Sequence, residues 1–553
     1  MVGLTKLEGA AACRQEGFPI SGAGENRNFR GRRGARRRAC LGALSGVLAG
    51  YAALAAAELA AAVVRPQASP VVAVGGAAID RTPAALKDWA IRNFGTNDKL
   101  VLQLGIVAVL AVLAVVLGLV AVRHRRVGSA GVLLFGVIGA LAATTRPDST
   151  GIADAVPSVV GALVGAWLLY ALSGRARSTP TEEPPEGSTE PGWDRRGFIT
   201  LATAAAISTG AGLLARSSRG TQDVNAVSSR NGVELPAPAS PGKPTPAGAQ
   251  LAIPGIGAFT TSNKDFYRVD TALVVPMVDA TKWRLRIHGK GVTRPVTLTF
   301  DDLLRRPLIE RAITLTCVSN EVGGPLIGNA RWIGVRLADV LAESGVRPPS
   351  KGGPADQLVA RSVDGMTIGS PVEDIMDGRD SMLALGMNAR PLPFTHGFPV
   401  RMLVPGLYGY VSACKWIEDI ELTTFADYDA YWVKRDWAQQ APIKTESRID
   451  TPKPFVSREA GTVMVAGVAW AQQRGIEKVE VRVDDGPWER ATLAAEDTRD
   501  TWRQWSYPWQ ATSGGHRLTV RATDGTGRTQ TAKRADPLPD GASGYHSIRV
   551  EIG

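Results

Sequence analysis

The chain has 553 residues, room for three or four domains at about 150 residues each. Its 63 Lys and Arg outnumber 52 Asp and Glu for a formal charge of +11, but residues 1–38 alone hold nine bases and three acids, so more than half the excess is a short arm before an apolar run. The remainder requires no nucleic-acid partner, and long uncharged blocks exclude a wholly soluble protein.

In chain order, residues 39–64 carry Glu58 as their one charged residue, and 100–122, 127–145, 155–173 and 197–215 carry none. Each block reaches the roughly 20 residues a helix needs to cross the hydrocarbon. Five spans put the chain ends on opposite sides. The basic arm, Arg123-His124-Arg125-Arg126, Arg175, Arg177 and Arg195-Arg196 then share one side, which the positive-inside rule makes the cytoplasm. Everything from residue 216 onward is expected outside, with an interfacial helix over 83–94. Glu58 and Asp154 are thin support for a transport path. Asp194-Arg195-Arg196-Gly197-Phe198-Ile199 before an apolar run resembles an internal twin-arginine export signal, the kind that carries folded, cofactor-loaded proteins.

Residues 216–260, with Pro236, Pro238, Pro241, Pro244 and Pro246, read as a tether. Over 261–446 the pattern mixes strands and short helices: Trp283, Leu285 and Ile287 alternate, and Thr299-Phe300-Asp301-Asp302 opens a helix on Leu303 and Leu304. This predicts an α+β domain. Over 447–553 only short alternating runs appear, Val479/Val481/Val483 and Leu518/Val520/Ala522 among them, which predicts an all-β immunoglobulin-like sandwich with Trp470, Trp488, Trp502, Trp505 and Trp509 as bulk.

Two cysteines fall in the outer half, Cys317 and Cys414. A disulfide is one reading. The other is a thiol ligand, because Cys317 ends the apolar run Ala312-Ile313-Thr314-Leu315-Thr316 and opens the polar, glycine-rich stretch Ser319-Asn320-Glu321-Val322-Gly323-Gly324. Zinc lacks partners, since no CxxC or HExxH occurs.

The motifs Thr314-Leu315-Thr316-Cys317-Val318-Ser319-Asn320, Ala330-Arg331-Trp332-Ile333-Gly334-Val335-Arg336-Leu337, His396-Gly397-Phe398-Pro399-Val400-Arg401 and Lys415-Trp416 stand in one order, and together they resemble the sulfite oxidase family of molybdopterin oxidoreductases. The tail, in Gly467-Val468-Ala469-Trp470 and Arg521-Ala522-Thr523-Asp524-Gly525, resembles that family's immunoglobulin-like dimerisation domain. The resemblance implies an α+β molybdopterin domain and a C-terminal sandwich, following the N-terminal α-helical membrane bundle read from the uncharged blocks. It implies molybdenum-molybdopterin as cofactor with Cys317 on the metal. Tyr267, Arg268, Asp270, Asp364, His396, Arg401 and Lys415 are implied cofactor contacts, and Asn320 and Trp437 join Cys317 as the candidate catalytic set.

Departures bear on the substrate. Where sulfite-oxidising members carry arginines after the ligand cysteine and a tyrosine after an Arg-Asp pair, this chain has Glu321-Val322 and, in Lys434-Arg435-Asp436-Trp437, a tryptophan. The expected function is two-electron oxygen-atom transfer on a small S- or N-oxide, with sulfite a weaker candidate and a possible homodimer formed through 447–553. No haem is expected, since the spans contain no histidine and no CxxCH occurs, so electrons go to a separate partner. The competing reading is a non-enzymatic membrane receptor or adhesin with an immunoglobulin-like ectodomain.

Overall fold

The computed structural model describes residues 23–82, 86, 98–146, 149, 151–177, 223–272, 274–455 and 457–553. Four helical stretches in it are long and apolar enough to cross a membrane: Arg38–Val64, Val101–Arg123, Arg125–Thr145 and Ile152–Gly174. They follow the uncharged blocks because a helix satisfies its own backbone, leaving side-chain polarity to set the ends. The fifth expected span, the Arg195-Arg196 pair and all but one residue of the expected interfacial helix lie outside the described residues. A helix the pattern did not announce, Pro70–Arg81, follows the first span. The two acids are held by local partners: Ser69 Oγ donates to Glu58 at 2.5 Å, while Arg65 Nε and Nη2 each reach a buried Asp154 oxygen at 2.9 Å.

The chain divides into two compact units, one drawn from residues 1–56, 107–136 and 160–209, the other from the remainder. In the first, small residues bring helix backbones together: a Cβ on Gly46 would lie 2.9 Å from Gly118 Cα, and one on Gly165 would lie 2.7 Å from Ala53 Cβ. For helices apolar enough to lie in lipid, where the hydrophobic effect does not act between them, such close packing is the means of association. Gly46→Leu is therefore expected to cost more than about 3 kcal/mol of packing, read as loss of the monodisperse peak when the detergent-solubilised protein is gel-filtered.

In the second unit, residues 284–423 build two sheets, one mixed and one antiparallel, from ten strands: β1 (Arg284–Gly289), β2 (Val296–Thr299), β3 (Leu308–Thr316), β4 (Ile327–Arg336), β5 (Gln357–Ser362), β6 (Thr367–Pro371), β7 (Met382–Met387), β8 (Arg390–Pro391), β9 (Arg401–Leu403) and β10 (Ile417–Thr423). One sheet runs β2-β1-β10-β5-β6, with β1 and β10 parallel; the other runs β3-β4-β7-β8, with β9 beside β7. Thr299 caps the helix Phe300–Leu304 in a capping box with Asp302. Leu285, Ile287, Trp332, Phe398 and Val400 lie in the shared core.

The described part of the stretch expected as a tether, residues 223–260, is laid along this domain instead. Ser240 N–H donates to Leu308 O and Ser240 O accepts from Glu310 N–H, so the free edge of β3 is covered. Arg230 donates to the carbonyls of Leu392 and Pro391, and Phe259 is buried. Proline-rich chain needs no periodicity to dock in this way: it is already extended and has few N–H groups of its own to satisfy.

The C-terminal part is all β: β11 (Glu446–Thr451), β12 (Ser457–Arg458), β13 (Gly461–Trp470), β14 (Ile476–Val483), β15 (Glu489–Arg490), β16 (Thr492–Leu493), β17 (Arg503–Ala511), β18 (Gly514–Asp524) and β19 (His546–Ile552). Its two sheets, β11-β13-β17-β16 and β12-β19-β18-β14-β15, enclose Val465, Val479, Trp505, Leu518 and Val550. Trp470 and Trp502 belong to the preceding domain's core, so the two domains share apolar packing.

Candidate cofactor site

Strand β3 ends at Thr316 and delivers Cys317 into a buried turn, where Cys317 N–H donates to Leu326 O at 3.0 Å. Neither Cys317 nor Cys414 is in a disulfide, which settles the first alternative for this pair. Tyr267 lies close enough to both Cys317 and Arg401 to feel their charge. Burial pushes its phenol far above the ordinary range, the thiolate adds to the rise and the guanidinium opposes it.

A basic cluster continues from there. Lys415 Nζ reaches Asp270 Oδ2 at 2.9 Å and Arg268 Nε reaches the same oxygen at 3.4 Å. Both Lys415 and Asp270 are buried. Arg401, on β9, is buried with its guanidinium over the Trp332 ring at 5.4 Å, and desolvation holds its pKa below the usual value. His396 stacks edge-on against Phe266 with centroids 5.6 Å apart, and its Nε2 lies 3.0 Å from Asn263 O. A carbonyl accepts only, so Nε2 carries the proton and Nδ1 of the neutral ring is an acceptor. Burial, with Arg401 and Lys415 nearby, lowers the His396 pKa to about 4.

That shift has a sign. Above pH 6.5 both folded and unfolded His396 are neutral; as pH falls through 6.5 toward 4 the unfolded form takes a proton that the folded form refuses, so stability drops by up to about 1.4 kcal/mol per pH unit. His396→Asn is expected to flatten this part of the curve. Thermal unfolding of cofactor-free protein from pH 4.5 to 7.5 checks it, as the difference between wild type and variant.

Asp364 is half-buried and its carboxyl is pushed up by desolvation, opposed by Ser362 and the Met366 N–H and reinforced by Asp270. The structure thus brings Tyr267, Arg268, Asp270, His396, Arg401 and Lys415 together, with Cys317 beside Tyr267 and Asp364 within the field of Asp270. It places the other two expected residues differently. Asn320 Oδ1 accepts from Leu326 N–H at 2.7 Å, bracing the turn after Cys317. Trp437 packs on Tyr410 and Trp432, at centroid distances of 5.6 and 6.2 Å. Sequence reasoning missed Asn263, whose contribution is a backbone carbonyl, and Tyr408, a buried phenol within the field of Cys317.

Two buried polar atoms of the cluster, His396 Nδ1 and Arg401 Nε, have no hydrogen-bond partner. An unmet buried donor or acceptor costs about 1–3 kcal/mol. A donor, an acceptor and an excess of cations fit a large anionic group with N–H edges.

The family described as oxidoreductase molybdopterin binding domain matches residues 272–432. The uncharacterized oxidoreductase YuiH of Bacillus subtilis (strain 168) is 31% identical over 29% of this chain and 74% of its own. The chain belongs to the sulfite oxidase family of molybdopterin oxidoreductases. Mitochondrial sulfite oxidase of Rattus norvegicus is 30% identical over 45% of this chain and 52% of its own. The chain spans about half the length of such curated relatives. Among solved structures, the sulfane dehydrogenase SoxCD from Paracoccus pantotrophus is similar at 23% identity and a TM-score of 0.46, over 53% of this chain and 81% of that one. Molybdenum-molybdopterin is the cofactor of this family, and the orphaned atoms of His396 and Arg401 fit it.

Proposed function

We propose that the protein is a membrane-anchored, outward-facing molybdenum oxidoreductase acting on a small S- or N-oxide. The observation that carries this is the buried cation-rich cluster near Cys317, in which His396 Nδ1 and Arg401 Nε have no hydrogen-bond partner and are left for a ligand. When bound, molybdenum-molybdopterin supplies two-electron oxygen-atom transfer. Cys317 is the metal thiolate in this reading, Arg401 and Lys415 hold anionic oxygens, and His396 Nδ1 and the Asp364 carboxyl meet pterin N–H groups. Asp270 keeps Lys415 and Arg268 from repelling one another when the site is empty. Asn320 holds the loop, and Trp437 with its aromatic neighbours supplies an apolar wall. A receptor or adhesin leaves these buried orphan atoms unexplained.

The same reading disfavours sulfite. A compact dianion needs converging cations, each worth about 1.5–3 kcal/mol. Glu321 is exposed on the loop after Cys317, and the arginines best placed in sequence to compensate are tied to backbone: Arg503 donates to Ala494 O and Ile476 O, and Arg435 donates to Tyr431 O. The immunoglobulin-like sandwich serves as a homodimer contact, and electrons pass to a separate partner. Molybdenum analysis and steady-state kinetics on purified protein test the proposal. We expect kcat/KM for a neutral S-oxide to exceed that for sulfite by at least tenfold, with Glu321→Arg/Val322→Arg narrowing the gap. Metal-free protein from a molybdopterin-competent host, or sulfite turnover at a micromolar KM, would count against it.

A further inference from the structure

The strand that presents Cys317 lies at the edge of its sheet, where unpaired backbone frays most readily. Ser240 covers its beginning. Its end is covered by the C-terminal sandwich. Thr314 N–H donates to Asp500 O at 2.8 Å, Thr314 Oγ1 accepts from Trp502 N–H at 2.8 Å, and Gln472 Nε2 reaches Thr314 O at 2.9 Å and Thr316 Oγ1 at 3.2 Å. Gln472 is completely buried, so this amide has no water to exchange those bonds for.

The loop that follows Cys317 is held from the same domain. Arg448 Nη1 donates to Gly324 O at 2.8 Å while its Nε is fixed on Asp450 Oδ1 at 2.7 Å. Gly323 has φ +80, and the His546 ring occupies the space a side chain there would need. That ring is itself oriented, because its Nδ1 accepts from Ile449 N–H at 3.0 Å. Both flanks of the thiol are thus held by residues more than a hundred positions away.

We propose that the C-terminal sandwich is a positioning element for the Cys317 thiol, with Gln472 fixing the strand end before it and Arg448 with His546 fixing the loop after it. The proposal rests on the reading of Cys317 as the metal ligand and extends it: the domain whose expected part is dimerisation also sets where the sulfur sits. Displacing a ligand by even 1 Å is enough to spoil a preorganised centre.

The test uses the full-length, detergent-solubilised protein with Gln472→Met, Arg448→Ala and Arg448→Lys. In cofactor-free protein, N-ethylmaleimide labelling of Cys317 is measured by mass spectrometry with Cys414 as internal reference. We expect Cys317 to react at least about tenfold faster in Gln472→Met and Arg448→Ala, Cys414 to be unchanged, and Arg448→Lys to return the rate to within about threefold of wild type. In loaded protein the same two variants are expected to shift the molybdenum(V) electron paramagnetic resonance spectrum at unchanged metal content. Unchanged labelling, or Cys414 accelerating in step as in global loosening, would overturn the proposal. If Arg448→Ala does not fold, Gln472→Met carries the measurement. Failure of the ligand reading is seen separately, as a molybdenum spectrum that survives Cys317→Ser.

Discussion

Cys317→Ser is expected to leave a folded protein whose turnover falls by at least about a hundredfold, with an altered molybdenum spectrum. Serine is nearly isosteric, so the buried turn survives: the Cys317 N–H to Leu326 O bond and the Asn320 brace are unaffected by the side-chain change. A hydroxyl oxygen, however, is a harder donor than a thiolate and sits closer to a metal, which changes both the charge delivered and the geometry. Cys414→Ser is the control. Cys414 is also buried, and burial pushes its thiol far up, so it is an inert core group whose sulfur donates weakly to Lys415 O at 3.7 Å. Its replacement is expected to change turnover by less than about threefold and to cost up to about 2 kcal/mol of stability. Activity assays, metal analysis and thermal unfolding on the two variants decide this, and equal harm from both would refute the assignment.

Arg401→Met is expected to move stability and cofactor content in opposite directions. In cofactor-free protein Arg401 is a buried cation with an unmet Nε, resting on the Trp332 ring. Methionine fills most of the same volume without the desolvation cost, so the empty protein gains about 1–3 kcal/mol. With cofactor offered, the variant lacks one charge-assisted contact worth about 1.5–3 kcal/mol and retains roughly ten- to a hundredfold less of it. Denaturant unfolding of empty protein and molybdenum content of loaded protein give the two readings. A structural arginine would lose stability in the first and show no selective effect in the second.

The sequence by itself determined the features that depend on short windows. An uncharged run of about 20 residues has one low-energy conformation in lipid whatever surrounds it, and the four described helices long and apolar enough to cross a membrane fall where the charges stop. His396, Arg401 and Lys415 were expected as site residues through the family resemblance of short motifs, and the structure gathers the three into one buried cluster. Thr299 and Asp302 declared their helix start through a three-residue spacing. Only the tertiary structure decided what depends on partners far along the chain. Residues 223–260 looked like a tether because proline-rich sequence shows no period, yet Ser240 completes the edge of β3. Asn320 proved a loop brace, and Gln472 and Arg448 carried no signal of reaching the Cys317 turn, 156 positions away in the one case where Gln472 meets Thr316. An amide or a guanidinium is chemically the same in solvent as in a core. What it binds is set by which backbone groups the fold leaves unpaired beside it, and that is not a property of any local window.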